Sequence, residues 1–501
     1  MKSLQLLVFS LLFIGSLYAQ PCTIDGTIKG IAVKKIQLYL LYADYVPKQP
    51  SAEAVPDMYG KFKQTLQLPY PVFAELTFNE RKYRLLLSPG RNLQLTIDST
   101  SILFAGKAAA ENQLVHNSIL DSKPLFSKNE KEIISFKDLT KTGFTDTLLR
   151  HIEEEIATTK TQIEQSATSP ALKQILINET KYAYQSHLSN FATFDLRKAN
   201  KMLADTAQNI IMQWQPLPDS SMLQSGYYAN VMLEKRNRYD INQASKKINT
   251  NSIDTMKLRL AEFFSMPFTT IDSLIKANGE LTIMASRYAE LNWPASICDK
   301  VYYNLFISAY DLSNTSTCTY LFNNMQQKYP ASQYLPRAKN LLQQLTATVK
   351  KNSSNANITI EELGNISSVL QVIKKYEGKV IYLDMWGTWC GPCKYEMAYV
   401  PELKKRYAGK NIVWLYIALD NPEQDKKWKD YIYINNLEGK HYRVNRASTE
   451  TFWQEAEKTG IQPLNSVPRY MIINAQGKIV HDVAERPSSR QKLYNQLDKL
   501  L

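Results

Sequence analysis

Two cysteines separated by Gly391-Pro392 constrain this chain more than any other feature, because the segments on either side dictate their surroundings. Cys390 and Cys393 lie in Trp389-Cys390-Gly391-Pro392-Cys393-Lys394. Upstream, residues 379–385 are largely apolar and β-branched at their start, which predicts a buried strand. Downstream, residues 395–407 contain no glycine and one proline, Pro401, which predicts a helix with a kink. A strand that delivers Cys-x-x-Cys to a helix start places the first sulfur beside unpaired backbone N–H groups and the positive end of the helix dipole. That environment favours a thiolate, so Cys390 is the expected nucleophile. Cys393, one turn later, is expected to be more buried and to act as the resolving thiol.

Two competing uses of the pair fit less well. A structural zinc site needs two further ligands at suitable spacing, and His441 and His481 are isolated. A structural disulfide across two residues closes a small loop with little entropic benefit. The expectation is a thiol–disulfide exchange site with no metal and no cofactor.

Residues 358–501 resemble a thioredoxin-fold domain of the TlpA/ResA-like thiol–disulfide oxidoreductase type. Asp384, six residues before Cys390, stands where thioredoxins place a buried acid that takes the resolving thiol's proton. Its alternative is a merely structural acid satisfied by Trp386 or water. Val467-Pro468 precedes the apolar segment 470–473, where that fold places a cis-proline facing the active site. Asn474-Ala475-Gln476-Gly477 reads as a hairpin turn into 478–480, and a closing helix is expected over 488–501. Two departures stand out. Seventy-five positions separate Cys393 from Pro468, enough for an inserted element of the kind found in the TlpA/ResA-like group. Tyr416 aligns where thioredoxin has a lysine near the buried acid.

The resemblance implies attack of Cys390 on a substrate disulfide, resolution by Cys393 and proton uptake by Asp384. Val467 and Pro468 would offer a backbone edge to the substrate chain, while Trp386 and Trp389 flank the site in packing roles. The Gly-Pro spacer is that of thioredoxin, whose potential near about −270 mV implies a reductant recharged by a membrane thiol donor of the DsbD-like kind. Peroxiredoxins share the fold, but their Pro-x-x-x-Thr/Ser-x-x-Cys pattern is absent. Counting back from Cys390 meets Leu383 and Gly387, and from Cys393 meets Trp386 and Cys390.

The compartment follows from the first residues. Met1-Lys2-Ser3, the apolar run 4–14 and Gly15-Ser16-Leu17-Tyr18-Ala19 have the layout of a signal peptide cleaved after Ala19, so an exported, periplasmic or cell-envelope location is expected. Cys22 raises lipid anchoring as a minor alternative, with Gln20 and Pro21 ill suited to a lipobox. A formal charge of +13 invites a nucleic-acid reading, but the basic residues form no dense cluster and export opposes it.

A chain of 501 residues exceeds one domain. Residues 22–107 carry short strand patterns at Ile36–Leu41, Val72–Phe78, 83–87 and Leu93–Ile97 and predict an antiparallel β domain. Over 86–112, with Ser88-Pro89-Gly90 and Phe104-Ala105-Gly106, this part resembles a β domain of unknown function that precedes thioredoxin domains in exported Bacteroidetes-type proteins. Residues 108–350 turn helical, with three- and four-residue apolar spacings at 148–167, 170–187, 255–264 and 336–350. His116, His151 and His187 there lack metal-ligand spacing, and residues 351–357 read as a polar, flexible linker. Cys298 and Cys318 are either a structural disulfide or two free buried thiols.

The whole is a multidomain chain: an N-terminal antiparallel β domain, a central α-helical region and a C-terminal α/β thioredoxin fold. Its expected activity is reduction of disulfide-containing periplasmic proteins. The alternatives are an envelope binding or scaffold protein with a secondary redox domain, and a disulfide-forming oxidase.

Overall fold

The computed structural model describes residues 19–41, 50–121, 140–214 and 226–501. The expected signal segment lies outside the described residues except for Ala19. The chain divides into two compact units, Met1–Asn249 with Tyr288–Val301, and Thr250–Arg287 with Tyr302–Leu501.

The first unit opens with a β-sandwich. Its strands are β1 (Gln20–Ile28), β2 (Ile36–Leu41), β3 (Ala52–Ala54), β4 (Lys61–Leu68), β5 (Val72–Phe78), β6 (Arg81–Leu87), β7 (Leu93–Ile97) and β8 (Ile102–Ala105). They form two four-stranded sheets, ordered β4-β1-β7-β8 and β3-β2-β5-β6. All pairings are antiparallel except β1 with β7, which is parallel. Period-two burial along β1 sends Cys22, Ile24 and Ile28 into a core shared with Leu38, Leu76, Leu85 and Leu95. Gly26 is required in β1 because the Phe62 ring of its β4 partner occupies the space a Cβ would need. Cys22, the candidate lipidation site, is fully buried here.

Helix α1 (Ala109–His116) closes the open edge of β6 through one residue. Asn112 accepts from Leu86 N–H at 2.9 Å and donates to the Leu86 carbonyl at 3.0 Å, replacing a missing strand neighbour. The helical part follows with α2 (Arg150–Gln165), α3 (Pro170–Asn190), α4 (Lys201–Gln213) and α5 (Tyr227–Ile248).

The second unit begins with α6 (Ile253–Phe264) and α7 (Phe268–Asn278) and continues, after α8 (Glu280–Asn292) and α9 (Ala295–Asp311), with α10 (Thr315–Lys328) and α11 (Leu335–Asn352). α11 starts with Pro336 in its first turn, where a missing N–H costs nothing. Its remaining strands β9 (Ile358–Ile360), β10 (Val380–Trp386), β11 (Ile412–Leu419), β12 (Gly439–Val444), β13 (Arg469–Ile473) and β14 (Ile479–His481) form one sheet in the order β14-β13-β10-β11-β12-β9. β10 runs parallel to β11 and antiparallel to β13, giving the thioredoxin-like α/β layout. Every residue of β10 is buried because both faces are covered. Ile381, Leu383 and Met385 pack on one side, Val380 and Tyr382 on the other.

The long interval before Pro468 is filled by α15 (Asp425–Ile434), β12 and α16 (Thr449–Glu457), with α12 (Val369–Lys374), α13 (Gly391–Met397), α14 (Val400–Arg406) and α17 (Gln491–Leu497) completing the helices. The predicted kinked helix over 395–407 is two helices, since Pro401 sits in the first turn of α14 and begins a new one. The closing helix is shorter than expected: a 3-10 turn, Pro487–Ser489, is interrupted at Arg490, whose φ is 42°.

The segment expected as a flexible linker is fastened down. α11 runs through Lys351 and Asn352, and Asn352 Nδ2 donates to the Tyr433 carbonyl at 2.7 Å. Asn355 and Asn357 donate to Glu438 at 3.3 Å each, and Gly439 N–H donates to the Asn357 carbonyl at 2.8 Å. An asparagine-rich stretch reads as a linker by composition, yet here its amides supply the donors that hold the chain against β12. Ile434 from α15 packs into the same apolar cluster as Phe306, Leu321, Leu341 and Leu345. The helices just before the sheet and the sheet's own inserted helix therefore share a core.

Candidate redox site

The site is built where β10 ends and α13 begins. Cys390 has extended backbone angles and is the N-cap of α13, accepting the Cys393 N–H at 3.1 Å on its sulfur. Cys390 and Cys393 are joined by a disulfide, with Cα atoms 5.3 Å apart. Cys390 retains 4% exposure while Cys393 has none, the order expected for an attacking and a resolving sulfur. Gly391 and Pro392 are exposed on the first turn.

Trp386 is fully buried and packs with both cysteines, Tyr416, Trp428, Tyr431 and Ile432; its ring lies 5.3 Å from that of Tyr431. Trp389 faces outward, 44% exposed, with its Nε1–H donating to the Leu419 carbonyl at 2.9 Å. Val467 packs on the same cluster as the cysteines, and the Val467-Pro468 bond is cis.

Asp384 lies on β10 two residues before Trp386, hence on the same face, in register with Tyr416 on β11 and Tyr470 on β13. Burial pushes its carboxyl well above the ordinary range, and the nearby Glu396 charge adds to this. Among the described residues neither Asp384 Oδ1 nor Trp386 Nε1 has a hydrogen-bond partner, so Trp386 does not satisfy the acid.

Several groups escape a reading of the sequence. Glu396, one turn beyond Cys393, is buried and accepts from Ser488 N–H at 2.9 Å and Ser488 Oγ at 2.8 Å. Its signal is an acid at i+3 from a buried cysteine, on the helix face turned inward. Thr388 anchors the loop into the site, donating from Oγ1 to buried Asp420 at 2.7 Å and from its N–H at 3.0 Å. Burial raises the Asp420 carboxyl, opposed by those bonds. Tyr416 occupies the expected place of a lysine, but a cation still arrives from another helix: Lys404 Nζ lies 5.2 Å over the Tyr416 ring and bonds the Glu438 carbonyl. Burial lowers the Lys404 ammonium to about 8. Opposite it, His441 stacks on Tyr416 at 4.7 Å and is lowered to about 3 by burial, so it stands neutral.

Cys298 and Cys318 are both buried, and neither is disulfide-bonded. Among the described residues no helix is long and apolar enough to cross a membrane.

Comparison with known proteins places the C-terminal part. Residues 351–497 match the Redoxin family model. A Bacillus thuringiensis protein named thiol-disulfide oxidoreductase ResA is 32% identical over 120 residues, covering 24% of this chain and 62% of the relative. The protein of that name from Bacillus subtilis is 28% identical over 134 residues, covering 26% of this chain and 66% of its own length. Among solved structures, a thiol-disulfide oxidoreductase from Bacteroides fragilis is 24% identical, with 25% of this chain and 83% of the other covered and a TM-score of 0.20. The chain thus spans less than two thirds of the Bacillus thuringiensis relative. Its C-terminal part is a TlpA/ResA-like, thioredoxin-fold oxidoreductase domain.

Proposed function

We propose that this protein is an exported thiol–disulfide reductase that reduces disulfides of periplasmic proteins by dithiol exchange at Cys390 and Cys393. The observation that carries the proposal is the N-cap position of Cys390, whose sulfur already accepts a backbone N–H at the start of α13. A thiolate there keeps that bond and gains from the helix dipole.

In the reaction, the Cys390 thiolate attacks one sulfur of the substrate disulfide, forming a mixed disulfide and expelling the other sulfur as a thiolate, which takes a proton. Cys393 then loses its proton and attacks Cys390 Sγ, forming the Cys390–Cys393 bond and releasing the second substrate thiol. Two electrons pass from the protein dithiol to the substrate. Asp384 is the base assigned to the Cys393 proton, because a carboxyl raised by burial is matched to a thiol's proton. Pro468 and Val467 would present the backbone edge that the substrate chain pairs with. Trp386, Gly391 and Pro392 shape the sulfur pocket. A membrane thiol donor of the DsbD-like kind would restore the dithiol. The β-sandwich, with its likeness to leading domains of exported proteins, would position the enzyme or recognise partners.

The test is the equilibrium reduction potential of the pair in the full chain, titrated against glutathione or dithiothreitol. A value near thioredoxin's, about −270 mV, is expected; one toward about −120 mV would make the protein a disulfide donor instead. A Cys393→Ser variant should accumulate substrate as a mixed disulfide on Cys390, visible on a non-reducing gel.

A further inference from the structure

Near the dithiol, beside Trp389, lies a cation that the exchange chemistry does not use. Arg446 begins a short 3-10 turn, Arg446–Ser448, directly after β12. Asn445 caps this turn by accepting the Ala447 N–H at 3.1 Å, which fixes where Arg446 departs. Its guanidinium lies 4.5 Å from the centre of the Trp389 ring. That ring is the side chain immediately before Cys390, and it is held by the Leu419 carbonyl on one side and the close backbone of Gly387 on the other. The guanidinium is therefore held over the side chain that directly precedes Cys390.

Among the described residues no ion pair compensates its charge. Neighbouring Arg443 has Asp425 at 3.4 Å, and half-buried Lys427 feels the Asp420 charge. Among the described residues, no carboxylate pairs with Arg446 and no hydrogen bond uses its donors. Stacking occupies only the flat face of a guanidinium, and the N–H edge of exposed Arg446 forms the fork that matches a carboxylate. The acids of the site, Asp384, Glu396 and Asp420, are buried, and the bonds of Glu396 and Asp420 go to Ser488 and Thr388.

We propose that Arg446, stacked on Trp389, recognises a carboxylate beside the substrate's disulfide, so that the site prefers acidic disulfide substrates. This rests on the exchange reading and adds the substrate class.

The test uses the pre-reduced full chain and three small disulfides in rapid-mixing assays: oxidised glutathione, which carries carboxylates, cationic cystamine, and neutral hydroxyethyl disulfide as the reference rate. Wild type should favour glutathione over cystamine. That ratio should fall about threefold in Arg446→Ala and about tenfold in Arg446→Glu, with Arg446→Lys between wild type and alanine. An unchanged ratio in Arg446→Glu, or a loss shared equally by all three disulfides, overturns the proposal. A wild type inert to all three would instead sink the exchange reading on which the proposal stands.

Discussion

Gly387→Ala probes how the site is held with almost no change in chemistry. Gly387 lacks the positive φ that would itself require glycine. The backbone effect alone therefore favours alanine by about 0.4–1 kcal/mol through the unfolded chain. Against this, a Cβ at Gly387 would lie 2.6 Å from Trp389 Nε1 and 2.7 Å from Cε2, both inside contact distance. The indole must swing away, losing its bond to the Leu419 carbonyl, worth about 0.5–1.5 kcal/mol, and its stack with Arg446, worth about 0.5–1 kcal/mol at an exposed site. Overpacking adds about 1–3 kcal/mol if the ring resists. The losses win, and a net destabilisation of about 1–3 kcal/mol is expected. It would be read as a lower urea midpoint with unchanged slope, together with altered tryptophan fluorescence. The decisive control is the double-mutant cycle with Trp389→Ala, in which the alanine at 387 should become neutral or stabilising. A cycle with no coupling, or a Gly387→Ala protein as stable as wild type with an unmoved indole, refutes the reasoning.

Other outcomes follow from the buried groups. Asp384 has a raised carboxyl pKa, so its contribution to stability is full below the ordinary carboxylate range and is lost as pH rises through the raised value. Asp384→Asn should therefore flatten stability on the alkaline side while slowing resolution by Cys393, measured as persistent mixed disulfide in single-turnover reduction. His441 has the opposite sign. Lowered from 6.5 to about 3, it contributes stability above 6.5 that is lost as pH falls toward 3, by at most about 1.4 kcal/mol for each pH unit crossed. Acid titration followed by near-ultraviolet circular dichroism should locate that loss, and His441→Phe should remove it. In the sandwich, Asn112→Ala leaves the Leu86 N–H and carbonyl without their partner and should cost about 3 kcal/mol by chemical denaturation.

What is legible in the sequence is mostly local. The strand into Cys390, the capped helix behind it, the Val467-Pro468 pair and the turn at Asn474-Gly477 are each written in a few adjacent residues. β2, β5 and β7 are legible to the residue because their apolar runs end at turn signals. β1 and β4 are not, as their inward residues alternate with Thr, Lys and Gln and lack such a run. Pairings between distant segments leave no local trace, which is why the parallel β1–β7 pair and the shared core of α10, α11 and α15 appear only in three dimensions. Lys404 escapes for the same reason: only the fold carries it over Tyr416.

Helix α15 has obligations on both faces. Trp428, Tyr431 and Ile432 form the wall against the two sulfurs, while Asp430 is bonded by Thr315 Oγ1 and Ile434 enters the core of the preceding helices. An insertion on the rim of a sheet would ordinarily belong to the parts that open first in hydrogen exchange. Here its amides should exchange with the slowest class, because opening them exposes apolar surface on two sides at once. The wall beside the sulfurs would then keep one shape through oxidation and reduction, and substrates meet a fixed contour.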